Sequence, residues 1–405
     1  MAKVMEGVKV VEVSLYGFVP AAGAVLADWG AEVIKIEHPL QGDPMRGVIA
    51  SGMGPEQTGF TFMWDIVNRG KRSVGIDLAT PEGLELLMEL VDGADVFLTS
   101  FLPEARRRLG IDVDSVMARN PGIVYARGSG QGVRGPDAEK GGFDAITYWF
   151  RGGISSAITP VDSPYPFRMP GGAFGDVQSG MALAGGVGAG LAYRARTGEG
   201  TVVDTSLLAM SMWAMQPGIV GTALVDIDEM PKHDRTRPYN PLANAYRTAD
   251  GRFLALNMLQ ADRYWPGFCE AVGRPDLIGH PDYATAELRL KNVEACVALL
   301  DEIFGAKPLA HWREVLSRQE GQWDVVQKVR ELNDDAQALA NGYVQTVDYG
   351  DGRAMPMVAA PVQFAETAPE LRPAPEHGAD TEAVLLEMGH GWDRISELKD
   401  KKVII

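Results

Sequence analysis

The stretch "FGDVQSGMALAGGVGAG", residues 174–190, sets one acid, Asp176, in front of a long run of small and apolar residues. An aspartate there has two readings. It is among the commonest helix N-caps, because its short carboxylate reaches the free N–H groups of a first turn. It also has what a carboxylate nucleophile needs: a helix dipole that favours the ionised form and amide donors for an oxyanion formed beside it. The glycines of "PGGAFG" (170–175) would let a bulky substrate approach the backbone. The residues alone leave both readings open.

Other chemistries are poorly supplied. There is no GxSxG, and no histidine is paired with a serine or cysteine. Asp144 in "GGFDAITY" reads as a turn or cap residue. The 6 histidines are scattered without an i,i+4 pair, and Cys269 and Cys296 form no CxxC, so neither a metal centre nor a disulfide framework is expected. "GQGVRG" (130–135) matches GxGxxG after a strand, but "PDAEKGG" follows it where a phosphate-binding helix should start. No nicotinamide or flavin is expected.

A net charge of −16 argues against nucleic acid or an anionic membrane as partner. Against that background "NRGKRS" (68–73) and "RRR" (106–108) are basic exceptions. Either run alone reads as a solvated face, but both adjoin predicted strands. Ligands of open α/β sheets gather at the strands' carboxyl ends, which makes these runs candidates for holding phosphate. "MSMWAM" (210–215) reads as buried core before it reads as an acyl pocket. The N-terminus has no signal-peptide pattern and Met181–Tyr193 is too short to span a bilayer, so a cytoplasmic protein is expected.

The elements that must position these residues alternate. Strands are predicted at 8–14, 31–37, 71–78, 95–100 and 122–129, with helices from Pro20, at 81–92 and at 103–109 between them. Thr80 and Pro81 mark a helix start. The pattern is that of βαβ units and a parallel sheet. A helix from Asp176 to about Ala195 would carry Gly180, Ala184, Gly188 and Ala192 on one face, a ridge for close packing. "TVVDTS" and a buried helix follow. Residues 218–240 read as a linker, "YRTADGRFLALNM" as a hairpin turning at Asp250-Gly251, and 261–272, 285–304 and 308–319 as helices. The tail has a Pro-rich segment and a helix from about 380.

Taken in order, "MEGVKVVEVS", "ADWGAEVIKIEHP", "GDPMR", "NRGKRSVGIDLATPEG", "NPGIVYARGSGQG", "GGFD" and "GAFGDVQSG" resemble the class III CoA-transferases of the CaiB/BaiF type. "NPLANAYRTADGRFLAL" and "PVQFAETAPELRPAPEHGADTEAVLLEMG" extend the likeness over essentially the whole chain. The resemblance implies an α/β fold: a large Rossmann-like CoA-binding domain from residues 1–217 and 335–405, a linker at 218–240 and a small α+β domain at 241–334. It implies an interlocked homodimer. The reaction implied is CoA transfer from an acyl-CoA to a small carboxylic acid, with Asp176 as nucleophile, through aspartyl anhydride and aspartyl-CoA thioester intermediates and without a metal. CoA contacts carry over to Tyr16, Gly17, His38, Lys71, Arg72, Ser100, Phe101, Arg108 and Lys140.

The chain departs from the family in two places. "TSFLP" (99–103) replaces the commoner "ENFRP", so a usual cation is missing at Leu102, and no glycine run like the nucleophile-covering loop of oxalate-type members is present. Two rival functions remain. α-Methylacyl-CoA racemases share the fold but need a histidine before the aspartate of a "GHD"-like motif, where this chain has Phe143. A non-catalytic acyl-CoA binding protein would have no need of Asp176.

Overall fold

The β-branched runs become a parallel sheet. Strands β1 (Lys9–Val13), β2 (Glu32–Glu37), β3 (Arg72–Gly75), β4 (Val96–Thr99), β5 (Val124–Ser129) and β6 (Thr201–Ser206) lie in the order β3-β2-β1-β4-β5-β6. The computed structural model describes residues 3–48, 52 and 59–405. In register, Val10 pairs with Val33 and Val96. Val10, Val33, Val96 and Val124 therefore share one face, and Val11, Ile34, Phe97 and Tyr125 the other. Both faces are buried, which is why the strands read as nearly continuous apolar runs.

The helices in chain order are α1 (Phe18–Asp28), α2 (Phe62–Asn68), α3 (Pro81–Asp92), α4 (Pro103–Arg108), α5 (Val113–Arg119), α6 (Ile154–Ile158), α7 (Phe174–Thr197), α8 (Leu207–Ala214) and α9 (Gln216–Val225). The first face of the sheet is covered by α1 and α7 through Val19, Leu26, Leu183 and Val187. The second takes α3, α5 and two C-terminal helices, Thr381–Glu387 and Trp392–Asp400, which bring in Val384, Leu385, Ile395 and Leu398. α3 starts as expected, with the Gly83 N–H donating to Thr80 Oγ1 at 3.0 Å and Pro81 in the first turn.

α7 differs from expectation in two ways. It starts at Phe174, two residues before Asp176, and its N-cap is Ala173 at φ 61° with no capping side chain. The small-residue ridge is also shorter. Gly180 and Ala184 are buried, but Gly188 is only half-buried and Ala192 is exposed, because α1 is a short helix and ends before reaching them. At Gly180 the approach is close: a Cβ there would stand 2.7 Å from Ala21 Cβ, 2.8 Å from Phe18 O and 2.9 Å from Ala22 N. Two of those three atoms are backbone and cannot swing away. Gly180→Ala should therefore lower stability by about 1–3 kcal/mol in urea unfolding, a large-for-small strain effect. A midpoint unchanged from the parent would mean that the two helices are free to part.

The chain divides into two compact units, one of residues 1–159, 163–230 and 335–405 and one of 160–162 and 231–334. The stretch read as linker starts inside α9, so residues 218–225 are helical, and irregular chain begins only at Asp226. The smaller unit holds the expected hairpin, Ala245–Arg247 paired with Phe253–Leu256, and adds Trp323–Val325 as a third strand. Its core gathers Tyr246, Trp265, Phe268, Phe304 and Trp312 from the sheet and three helices. An unexpected hairpin in the larger unit pairs Val344–Asp348 with Ala354–Val358. Among the described residues no single helix is long and apolar enough to cross a membrane.

Candidate active site

The strand order reverses direction between β1 and β4, and in open α/β sheets the crevice beyond the strand ends at such a point takes the ligand. A cleft of about 410 Å³ lies there, lined by the loops after β1, β4 and β5, by Phe143 and by Asp176. The β1 loop enters α1 through Tyr16, held at φ 65°, and Gly17. Its Leu15 N–H donates to Ser100 Oγ at 3.0 Å, which ties it to the end of β4.

Asp176 is the third residue of α7. Its carboxylate packs on the backbone of Gly17 so closely that a Cβ there would be 2.3 Å from Oδ2. The adjoining turn is equally tight: a Cβ on Gly175 would stand 2.4 Å from the ring of Tyr148, whose hydroxyl donates to Gln178 Oε1 at 3.0 Å. Asp144 opens a π-helix, Asp144–Arg151, and turns its buried carboxylate toward the start of α7. Oδ1 accepts the Ala145 N–H at 2.7 Å, and the N–H groups of Ala173, Phe174 and Gly175 favour its charge. Its Oδ2 has no defined hydrogen-bond partner, and burial raises its pKa despite these donors.

This arrangement corrects one sequence expectation. The first amides of α7 favour the charge of Asp144, while the pKa of Asp176 is raised, not lowered, at this helix start. Burial, and next the charge of Asp144, push the Asp176 carboxyl up to about 8. Asp144 begins the π-helix rather than capping it, and no side-chain hydrogen bond caps α7.

Of the residues carried over for CoA, Tyr16, Gly17, Ser100 and Phe101 line the cleft with Asp176. Lys140 is exposed at its rim, between Ala138 and Gly141, which line it. Four others are placed elsewhere. The Nδ1 of His38 accepts the N–H groups of Leu40 and Gln41 at 3.2 and 3.3 Å and so holds a turn. Lys71 is buried beneath α1, with Nζ 2.7 Å from Glu12 Oε2 and bonded to Pro20 O and Asn68 Oδ1, and burial pulls its pKa down to about 7. Arg72 opens β3, at the strand end opposite the crevice, and pairs with Glu32 and Glu387. Arg108 is exposed and lines no part of the cleft. A basic run beside a strand does not say at which end of the strand its side chains stand.

The cations that do line the cleft are Arg106 and Arg127. Arg127 is held by Asp204, its neighbour across β5 and β6. Arg106 is only 5% exposed, lies against the Tyr125 hydroxyl, and forms no ion pair among the described residues. Helical phase carried this signal: Pro103 and Arg106 are three apart and face the same way, whereas Arg108 turns outward. A neighbouring groove of about 330 Å³ shares Pro103, Arg106 and Arg127 with the cleft and adds Arg107.

Residues 5–381 match the sequence profile of CoA-transferase family III. The chain belongs to that family. It is 33% identical over 401 residues to (R)-2-hydroxy-4-methylpentanoate CoA-transferase of Clostridioides difficile, covering 99% of each chain. It is 32% identical over 403 residues to cinnamoyl-CoA:phenyllactate CoA-transferase of Clostridium sporogenes, covering 98% of this chain and 97% of that one. In structure it is similar to a CaiB/BaiF family protein from Brucella suis, with a TM-score of 0.79, 26% identity, and coverage of 95% of this chain and 99% of the other. The protein is a CoA-transferase of the CaiB/BaiF fold.

Proposed function

We propose that this transferase moves CoA from an acyl-CoA donor to a carboxylic acid acceptor with Asp176 as covalent nucleophile. The observation that carries the reading is that Asp176 is the one carboxylate among the described residues lining the cleft, which include no histidine, cysteine or lysine. The serines there lack a base: Ser100 Oγ accepts the Leu15 N–H, and Ser129 Oγ accepts the Gly132 N–H.

The ionised Asp176 attacks the thioester carbonyl, the C–S bond breaks, and a mixed anhydride and CoA thiolate result. The thiolate attacks the Asp176 acyl carbon, releasing the donor acid and leaving an aspartyl-CoA thioester. The acceptor carboxylate attacks that thioester, forming a new anhydride and freeing thiolate, which then attacks the acceptor's acyl carbon and restores Asp176. Each intermediate keeps the acyl group activated, so no ATP is consumed. The carboxyl proton must leave before the first attack.

Arg106 supports CoA binding at this cleft, since a buried cation without a carboxylate calls for an anionic ligand group. Arg106→Met should raise the KM for acyl-CoA about 10- to 100-fold with a smaller change in kcat, the worth of a charged hydrogen bond. An unchanged KM would remove Arg106 from the CoA site. Phe101, Leu102, Phe143 and Leu207 make the walls largely apolar, and together with the two relatives named above this favours acids with apolar side chains. A homodimer is supported by the apolar face of α8 and α9, where Trp213 is 70% and Leu224 79% exposed.

Hydroxylamine trapping tests the covalent route. Enzyme incubated with acyl-CoA and hydroxylamine should carry a hydroxamate at Asp176 by mass spectrometry, and its absence under turnover would exclude the route. Exchange of the α-hydrogen in deuterated water without any acceptor acid would favour the racemase instead.

A further inference from the structure

The loop from Ser14 to Gly17 is held from behind by a buried cluster of charges. Lys35 Nζ stands 3.0 Å from Asp43 Oδ2, 3.1 Å from Glu12 Oε1 and 2.8 Å from Ser14 O, and the three charged side chains are wholly buried. Burial pulls the Lys35 pKa down, but Asp43, Glu12 and Glu37 outweigh it and hold the amine above the usual lysine range. Asp43 is anchored in turn, its N–H donating to Glu37 Oε2 at 3.0 Å, and Glu37 takes two bonds from Arg46.

With Oδ2 committed to Lys35, Asp43 Oδ1 accepts the N–H of Met45 at 2.9 Å and of Tyr16 at 3.1 Å. Tyr16 sits at φ 65°, which an L side chain rarely adopts without a fixed partner. Its ring meets Phe143 edge-on, with centroids 5.2 Å apart. The next residue is Gly17, the wall on which the Asp176 carboxylate rests. One contiguous set of contacts thus runs from a buried ion pair in the sheet to the reacting acid.

We propose that Asp43 is a positioning residue for CoA transfer: backed by Lys35, its Oδ1 holds Tyr16 in the left-handed conformation that sets Gly17 against Asp176. The proposal rests on Asp176 being the nucleophile. Without that acceptor Tyr16 relaxes to negative φ, Gly17 withdraws, and the carboxylate loses its fixed line of attack. Arg106 lies on α4 and is untouched, so its hold on acyl-CoA persists.

Steady-state kinetics with one acyl-CoA and one acid test this. Asp43→Ala should lower kcat about 10- to 100-fold, as loss of orientation does, with the KM for acyl-CoA held within about 3-fold. Asp43→Asn keeps an acceptor oxygen for Tyr16 and should retain kcat within about 5-fold while losing the ion pair. In a Tyr16→Gly background, where positive φ is free, Asp43→Ala should cost no more than about 3-fold. Equal losses in both backgrounds, a raised KM with kcat unchanged, or Asn as damaging as Ala would each overturn the proposal. Should Asp43→Ala fail to fold, Tyr16→Val and Tyr16→Asn decide: the β-branched residue resists positive φ and should lower kcat well below the Asn variant, and equal rates would overturn the role. A failure of the Asp176 reading shows separately, as a parent enzyme that forms no hydroxamate.

Discussion

Replacing Asp176 by asparagine is expected to lower CoA transfer by about 10⁴-fold or more, the scale of losing a covalent nucleophile, and at the same time to stabilise the fold at pH 8. The second effect follows from the raised pKa. In the folded chain the carboxyl holds its proton up to about 8, against an ordinary value of 3.8. Proton binding therefore favours the folded state below 3.8, and that contribution is lost as pH rises through about 8. Asparagine has no such penalty. Its advantage should be small at pH 4, grow with pH, and level off above pH 8 at about 1–3 kcal/mol, since partial solvent access trims the full shift. Urea unfolding at pH 4.5 and 8 measures this, and equal gains at both would mean that the acid is not held neutral. The same proton appears in catalysis: kcat/KM of the parent should rise with pH to a plateau above about 8, the free-enzyme value of the essential carboxyl. A profile already flat at pH 6 would show Asp176 ionised throughout.

Gly17→Ala should cost about 10²-fold in kcat with little loss of stability, the penalty for moving a reacting group by about an ångström. The added methyl would meet Asp176 Oδ2 at 2.3 Å, and the carboxylate has no hydrogen bond among the described residues to keep it in place. It is the side chain that yields, because Gly17 already has negative φ and accepts a Cβ without backbone strain. Serine should be at least as damaging. Thermal unfolding near the parent's, together with lost turnover and retained acyl-CoA binding, is the expected combination. Retained turnover would mean that Asp176 works from a different rotamer.

The prominence of Asp176 was legible in the sequence, through the glycines around it and the order of motifs along the chain. So was the scaffold. Parallel strands buried on both faces can only be apolar runs, and Thr80 with Pro81 marked the first turn of α3 to the residue. Lys71, Arg72 and Arg108 do not line the cleft, for a physical reason. "NRGKRS" gives charge and sequence position, but not that the Lys71 side chain is buried beneath α1 against Glu12. In "RRR" the choice of Arg106 over Arg108 needed only the helical phase set by Pro103.

Sequence by itself determined the sheet, the family resemblance, Asp176 as a candidate nucleophile and the absence of a histidine at Phe143, because all of these depend on residue type and order. Tertiary structure alone decided the direction in which the acid's pKa is moved. Asp144 lies 32 positions away along the chain, yet folding brings it to the start of the helix that carries Asp176, where its charge adds to the burial. Asp43, another long step away, fixes the loop on which that acid rests. A local pattern can announce a carboxylate beside a helix start, but its pKa and its line of attack are set by charges and backbone that only folding brings near.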